Sequence, residues 1–174
     1  MKALPLVFPF LLAALPIAAH AEARQLGPHV HGQASVNIAV EASTMDVQVS
    51  LPGHDAVGFE HPPGTPAEQA AVDKATASLN AAAWLVPAPA ADCTLALARV
   101  SPHGFGGATE AGGHADFDAS YHFTCRRMDR LDQLDVRLAS AFPSVAKVVV
   151  SLITAAGSSQ QVLEGGVSHV GVPQ

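Results

Sequence analysis

The chain has 174 residues, with 9 Lys plus Arg against 15 Asp plus Glu and a formal net charge of −6 with histidine neutral. That acidity argues against nucleic acid or anionic lipid surfaces as partners, because both need clustered cations. The length suits one ordinary domain able to bury a core of its own.

The first segment reads as a signal peptide. Lys2 is a short positive start, Leu4 to Ala19 is an almost unbroken apolar run, and Ala19-His20-Ala21 supplies small residues around a cleavage point. Residues 1–21 are therefore expected to be removed, leaving a periplasmic chain that begins at Glu22. Pro5, Pro9 and Pro16, and the shortness of the run, argue against a membrane-spanning helix. Cleavage takes away Lys2 and no acid, so the single domain expected over 22–174 carries about −7.

A polar lead-in ends in His29-Val30-His31-Gly32. Strict alternation follows, with Ala34, Val36, Ile38 and Val40 on one side and Ser35, Asn37 and Glu41 on the other, which is the period of a half-buried strand. Val47, Val49 and Leu51 repeat it beyond Ala42-Ser43-Thr44, predicting an antiparallel hairpin. Pro52, Gly53, Gly58, Pro62, Pro63 and Gly64 make residues 52–64 a loop. In Thr65-Pro66-Ala67-Glu68, Thr65 can cap a helix, Pro66 suits its first position and Glu68 completes a capping box. The helix is expected to reach about Ala83, with Val72, Ala75, Leu79 and Ala83 as its apolar stripe, before Pro87 and Pro89 stop it.

Strands are predicted again at Cys93–Val100 and His114–Cys125, separated by a Gly-rich loop from Ser101 to Gly113. In the second of these, Ala115, Phe117, Ala119, Tyr121, Phe123 and Cys125 face inward, and His114, Asp116, Asp118, Ser120, His122 and Thr124 face outward. Further strands are expected at Leu134–Leu138, at Lys147–Thr154 and near Gln161–Leu163. The fold class is α+β, a mostly antiparallel β-sheet with one main helix packed on it, in a single domain. Cys93 and Cys125 are the only cysteines. In an oxidising compartment such a pair reads as a disulfide rather than a metal or catalytic site.

Eight of the nine histidines lie beyond residue 21: His29, His31, His54, His61, His103, His114, His122 and His169. Neutral imidazole is the commonest zinc ligand, and carboxylates complete many zinc sites. His29 and His31 stand two apart, so in extended chain both rings leave one face. His114 and Asp116 form a second pair of the same kind. Glu60-His61 before Pro62-Pro63 is a third grouping, with His54 nearby. Three such groups in a small acidic domain suit a divalent metal, zinc first; copper comes second because a copper(I) carrier usually offers methionine, and only Met45 and Met128 remain after cleavage. His103 and His169 stand alone in flexible segments, and His122 reads as a solvated side chain on the outward strand face. No nucleophile elbow, His-Glu-x-x-His helix or phosphate loop is present, so an enzyme is not expected. The competing readings are an interaction domain without metal and a metal-dependent hydrolase.

The stretches His29-Val30-His31-Gly32, Val57-Gly58-Phe59-Glu60-His61-Pro62 and His114-Ala115-Asp116-Phe117 leading to Tyr121-x-Phe123-x-Cys125 resemble the ZrgA-like periplasmic zinc-binding proteins. The similarity runs from about Arg24 to Leu163. It implies a non-catalytic periplasmic protein that binds zinc and assists its uptake, working beside a zinc import system or its binding protein. Members of that family often carry a long His/Asp-rich tract where this chain has only Ser101 to Gly113. The resemblance therefore implies a structured site drawn from His29, His31, His61 and His114, with Glu60 and Asp116 as the adjoining carboxylates.

Overall fold

A computed structural model describes residues 29–106 and 114–173. The expected signal segment 1–21 and the start at Glu22 lie outside the described residues, as do positions 107–113 of the expected Gly-rich loop.

The period-two segments form strands that pair as their apolar faces require. Strands β1 (Gln33–Val40) and β2 (Thr44–Pro52) make the expected hairpin, with Val36 opposite Val49 and Ile38 opposite Val47. Strand β2 then pairs antiparallel with β5 (Asp116–Cys125), and β5 pairs with β4 (Cys93–His103). On the other flank, β1 runs parallel to β7 (Lys147–Thr154), which turns back into β8 (Gly157–Glu164). The order in the large sheet is β4-β5-β2-β1-β7-β8. It is antiparallel at every junction but β1–β7.

One face of this sheet is the core. Val36, Ile38, Met45, Val47, Leu51, Phe117, Tyr121, Val148, Val150 and Leu152 are all buried on it. The other face carries Asn37, Gln48, Asp118 and Ser120, all exposed to water, as expected of an antiparallel sheet covered on one side only.

Helix α1 (Gly53–Val57) is one short turn, and α2 (Pro66–Ala81) is the main helix. The Thr65 hydroxyl accepts from the Glu68 N–H at 3.2 Å while the Glu68 carboxylate accepts from the Thr65 N–H at 3.0 Å, which is the predicted capping box. Val72, Ala75 and Leu79 bury the helix against the sheet. Tyr121 donates its hydroxyl to the Leu79 carbonyl at 2.9 Å, so the last turn is tied to β5. The expected fourth stripe residue, Ala83, is exposed instead. Ala82 ends the helix with φ of +52°, and this left-handed step turns Ala82 and Trp84 inward in its place.

Three further corrections concern the second half. A separate three-stranded sheet, β3-β6-β9, joins Leu85–Pro87, Gln133–Val136 and His169–Gly171. Two of its strands have three residues each, too short for alternation to register. The strand expected to reach Leu138 stops at Val136, and Leu138 opens α3 (Leu138–Ala141) with its side chain fully buried. Strand β4 runs on to His103, into the stretch expected to be loop. Cys93 and Cys125 face each other across β4 and β5 and are bonded as a disulfide.

Candidate metal centre

Antiparallel pairing in the order β5-β2-β1 puts the start of β1, the end of β2 and the start of β5 at one end of the sheet. The three histidine-bearing groups sit at those positions. His29 and His31 precede β1, the chain from β2 passes through α1 to Glu60, and His114 and Asp116 open β5. Pro52, the last residue of β2, pairs with Asp116.

Two contacts lock this end. Gly53 donates its N–H to the Ala115 carbonyl at 2.6 Å, so α1 starts against the first residues of β5. A Cβ at Gly53 would stand 2.5 Å from that carbonyl oxygen and 2.9 Å from the Phe105 ring. Gly53→Ala is therefore expected to destabilise the protein by about 1–3 kcal/mol, read by denaturant unfolding, because backbone rather than a movable side chain must yield. An unchanged midpoint would show that this junction is looser than its distances imply. The second lock is Asp55, the buried acid among the described residues: its Oδ2 accepts the Gly32 N–H at 2.7 Å. Gly32 itself has φ of +80°, the left-handed step that carries the chain from His31 into β1.

Glu60 is the hub. Its Oε1 accepts from His29 Nε2 at 2.9 Å and from His31 Nε2 at 2.8 Å, and its Oε2 lies 3.5 Å from His114 Nδ1. The His29 ring meets the His114 ring edge-on at a centroid distance of 4.9 Å. Among the described residues, His29, Glu60 and His114 form a group whose ligand atoms all lie within 4.8 Å of one another. Tetrahedral zinc with nitrogen and oxygen ligands holds them about 3.4 Å apart, so modest side-chain rotation closes this set on one ion.

The electrostatics favour a cation. His29 stands between two carboxylates, with Nε2 on Glu60 and Nδ1 2.5 Å from Asp116 Oδ1. The second contact lacks hydrogen-bond geometry, and that buried oxygen has no hydrogen-bond partner. A neutral imidazole carries one N–H and cannot serve both carboxylates. A cation held between them would meet both carboxylates at once. The donor set of imidazole nitrogens and carboxylate oxygens fits a borderline divalent ion such as zinc.

The two carboxyls respond in opposite directions. Burial raises the Glu60 pKa, but the charges of His29 and His31 and the His54 N–H outweigh it and hold the group below its ordinary value. Its contribution to stability is thus present above the ordinary carboxylate value and is lost as pH falls through the lowered one. Burial also raises Asp116, and there it prevails, helped by the nearby charges of Asp118 and Glu60 against those of His29 and His114. Folding therefore disfavours the ionised Asp116, at a cost that is full above the raised value, fades as pH falls through it and is gone below the ordinary aspartate value. Asp116→Asn is accordingly expected to raise the melting temperature of metal-free protein at pH 7, measured in chelator, and to lower the stabilisation gained from added zinc. A fall in melting temperature without metal would contradict this account of Asp116.

The remaining histidines are placed as follows. His54, beside the site residues in sequence, stacks on His31 with centroids 4.6 Å apart and planes at 9°. His61, expected among the ligands, lies outside the group: its Nδ1 donates to the Pro62 carbonyl at 3.0 Å and its ring stacks on Phe59. The structure thus brings His29, His31, Glu60, His114 and Asp116 together, and not His61. His103 pairs in register with Asp116 and reaches Asp118 at 3.5 Å, His122 meets Asp46 at 2.7 Å, and His169 meets Asp135 at 3.0 Å. Sequence reasoning missed Asp55. Its signal is an acid directly after an apolar strand and a glycine, in Leu51-Pro52-Gly53-His54-Asp55, where a loop acid has a backbone N–H to find.

The family model described as "ZrgA family zinc uptake protein" matches residues 28–171 of the chain. No curated protein matches it.

Proposed function

This chain belongs to the ZrgA family of zinc uptake proteins, and from that premise we propose that it is a non-catalytic periplasmic protein that binds zinc and supports its delivery to an import system. The observation that carries the reading is the convergence of His29, His114 and Glu60 from three separate segments onto one point, with Asp116 beside them, its buried Oδ1 facing His29 without a hydrogen bond. His31 completes the hub from the exposed side. Export is supported by the apolar leader read in residues 1–21 and by the Cys93–Cys125 disulfide.

The test uses untagged protein dialysed against trace zinc. It is expected to retain one tightly held zinc per chain and to melt at a higher temperature than the chelator-treated form. A ligand selective for the folded state stabilises it by mass action, by about 2.7 kcal/mol at one hundred times its dissociation constant. Zinc is expected to leave as pH falls through the ordinary imidazole range, roughly 6.5, because protonated imidazole cannot ligate. Protein that retains no zinc and melts at the same temperature with and without it would overturn the proposal.

A further inference from the structure

The arm that carries His29 and His31 enters β1 through a tight turn. Gln33 donates its N–H to the Val30 carbonyl at 3.1 Å, so His31 and Gly32 are the two central residues, and Gly32 has φ of +80°. A left-handed glycine in the third place is the mark of a type II turn. The closing bond of the turn uses neither group of its central peptide, so the Gly32 N–H needs a partner from elsewhere. Asp55 supplies it: its Oδ2 accepts that N–H at 2.7 Å. The Gly32 carbonyl is held separately, by the N–H groups of Ala146 and Lys147, both at 2.9 Å.

Asp55 comes from α1, 23 positions along the chain, and only 4% of it is exposed. Burying a carboxylate is costly, and a neutral hydroxyl or amide oxygen would accept one N–H without that cost. What the charge adds is a stronger bond and a sign. Glycine in the third place tolerates both type I and type II geometry, so the central peptide can sit either way round. In the flipped arrangement the His31 carbonyl oxygen faces the carboxylate and is repelled. Asp55 Oδ1 also lies 3.4 Å from His54 Nδ1, and the His54 ring lies flat against His31 with centroids 4.6 Å apart. The backbone beside His31 and one face of its ring are thus both tied to one buried acid.

Resting on the zinc reading of the cluster, we infer that Asp55 is a positioning residue of the metal centre. It fixes the turn from which His29 and His31 reach the same Glu60 oxygen, at 2.9 and 2.8 Å. Asp55 itself stands outside the group whose ligand atoms converge. Its contribution is to keep the ligand-bearing turn in one arrangement before an ion arrives. Without it the competent arrangement is only part of the population, and the apparent affinity falls by that fraction.

The experiment measures the zinc affinity of the full untagged chain by chelator competition, beside hydrogen exchange of the Gly32 amide in metal-free protein. Asp55→Ala is expected to bind zinc about 10–100-fold more weakly, the loss typical of a missing partner behind the ligands. Asp55→Asn keeps an oxygen for the Gly32 N–H but not the charge, which makes the bond about half as strong, so a smaller loss of about 3–10-fold is expected. In both variants the Gly32 amide exchanges faster than in the parent. Leu152→Val trims the core opposite Ile38, towards the far end of β1, and is expected to lower stability while leaving zinc affinity within about twofold. Asp55→Ala with the parent's affinity overturns the inference. Equal losses in Asp55→Ala and Asp55→Asn overturn it too, because charge alone would then act. So does a loss in Leu152→Val that matches Asp55→Ala, because global stability would then set the affinity. If Asp55→Ala does not fold, Asp55→Asn decides: faster Gly32 exchange with unchanged affinity rejects the positioning role. A parent that binds no zinc overturns the zinc reading itself, whereas Gly32 exchange still reports on the turn.

Discussion

Replacing His29 and His31 together by alanine is expected to abolish tight zinc binding while leaving the protein folded. Loss of an outer-shell partner alone costs about 10–100-fold in metal affinity, so loss of these two ring nitrogens costs at least about 100-fold. Both rings meet the same Glu60 oxygen, and His29 also faces Asp116. His29 is also one of the three residues whose ligand atoms lie within 4.8 Å of one another. The fold survives because neither residue belongs to the buried face of β1, which begins at Ala34. Metal-free stability is expected to fall by about 1–3 kcal/mol without unfolding the protein, since removing the largely buried His29 leaves the Glu60 and Asp116 carboxylates without that partner. The measurement is a competitive chelator titration of parent and variant beside their unfolding curves. Equal zinc affinity in the two would mean that the ion sits elsewhere.

The largest effect on stability is expected from Cys93→Ser with Cys125→Ser. The bridge spans 32 residues, a loop that contains the whole of β4 and β5. In the chain-entropy account, closing a loop of this length stabilises the native state by about 3–4 kcal/mol. The bond also anchors β4, an edge strand whose residues are mostly half-buried or exposed and whose register shifts between Leu95 and Leu97. Without the bond, β4 is held mainly by its ladder to β5 and by its contact with α2. The double variant is expected to unfold at markedly lower denaturant concentration, and the parent to respond in the same way when a reductant is added. A midpoint within about 0.5 kcal/mol of the parent would show that β4 is held by packing alone.

The same bond bears on the metal site through a chain of neighbours. Strand β4 ends at His103, opposite Asp116, and Phe105 just beyond it packs on Phe117 and Phe59, the residue before Glu60. An unpinned β4 loosens the wall behind the carboxylates before it unfolds the sheet. Zinc is therefore expected to offset part of the loss in the double variant.

Much of the fold was legible because the relevant physics is local. Alternation over eight to ten residues decides which face of a strand meets water, and β1, β2 and β5 bury the residues their sequences put forward, except that Val40 at the end of β1 is half-buried. The capping box at Thr65 and Glu68 works within four residues and formed as read. Local rules lost their hold where the chain left regular structure. Ala82 adopts a left-handed conformation that no helical period anticipates, so Ala83 went outward. Strands β3 and β9 are three residues long and exist because β6 lies between them.

For the site, the sequence by itself determined the chemistry: which residues can ligate, and that His29 with His31, and His114 with Asp116, leave the chain on shared faces. Only the tertiary structure decided that these pairs meet. That follows from strand order and direction, which place residues 29–31, 60 and 114–116 at one sheet end. It also decided that His61 turns to Phe59 and Pro62 while His54 joins His31. Neighbours in sequence parted because α1 winds through a single turn between them, and Asp55, buried in that turn, is held by a backbone N–H 23 positions earlier. Periodicity acts over a few residues, whereas convergence on an ion depends on contacts between segments far apart in the chain.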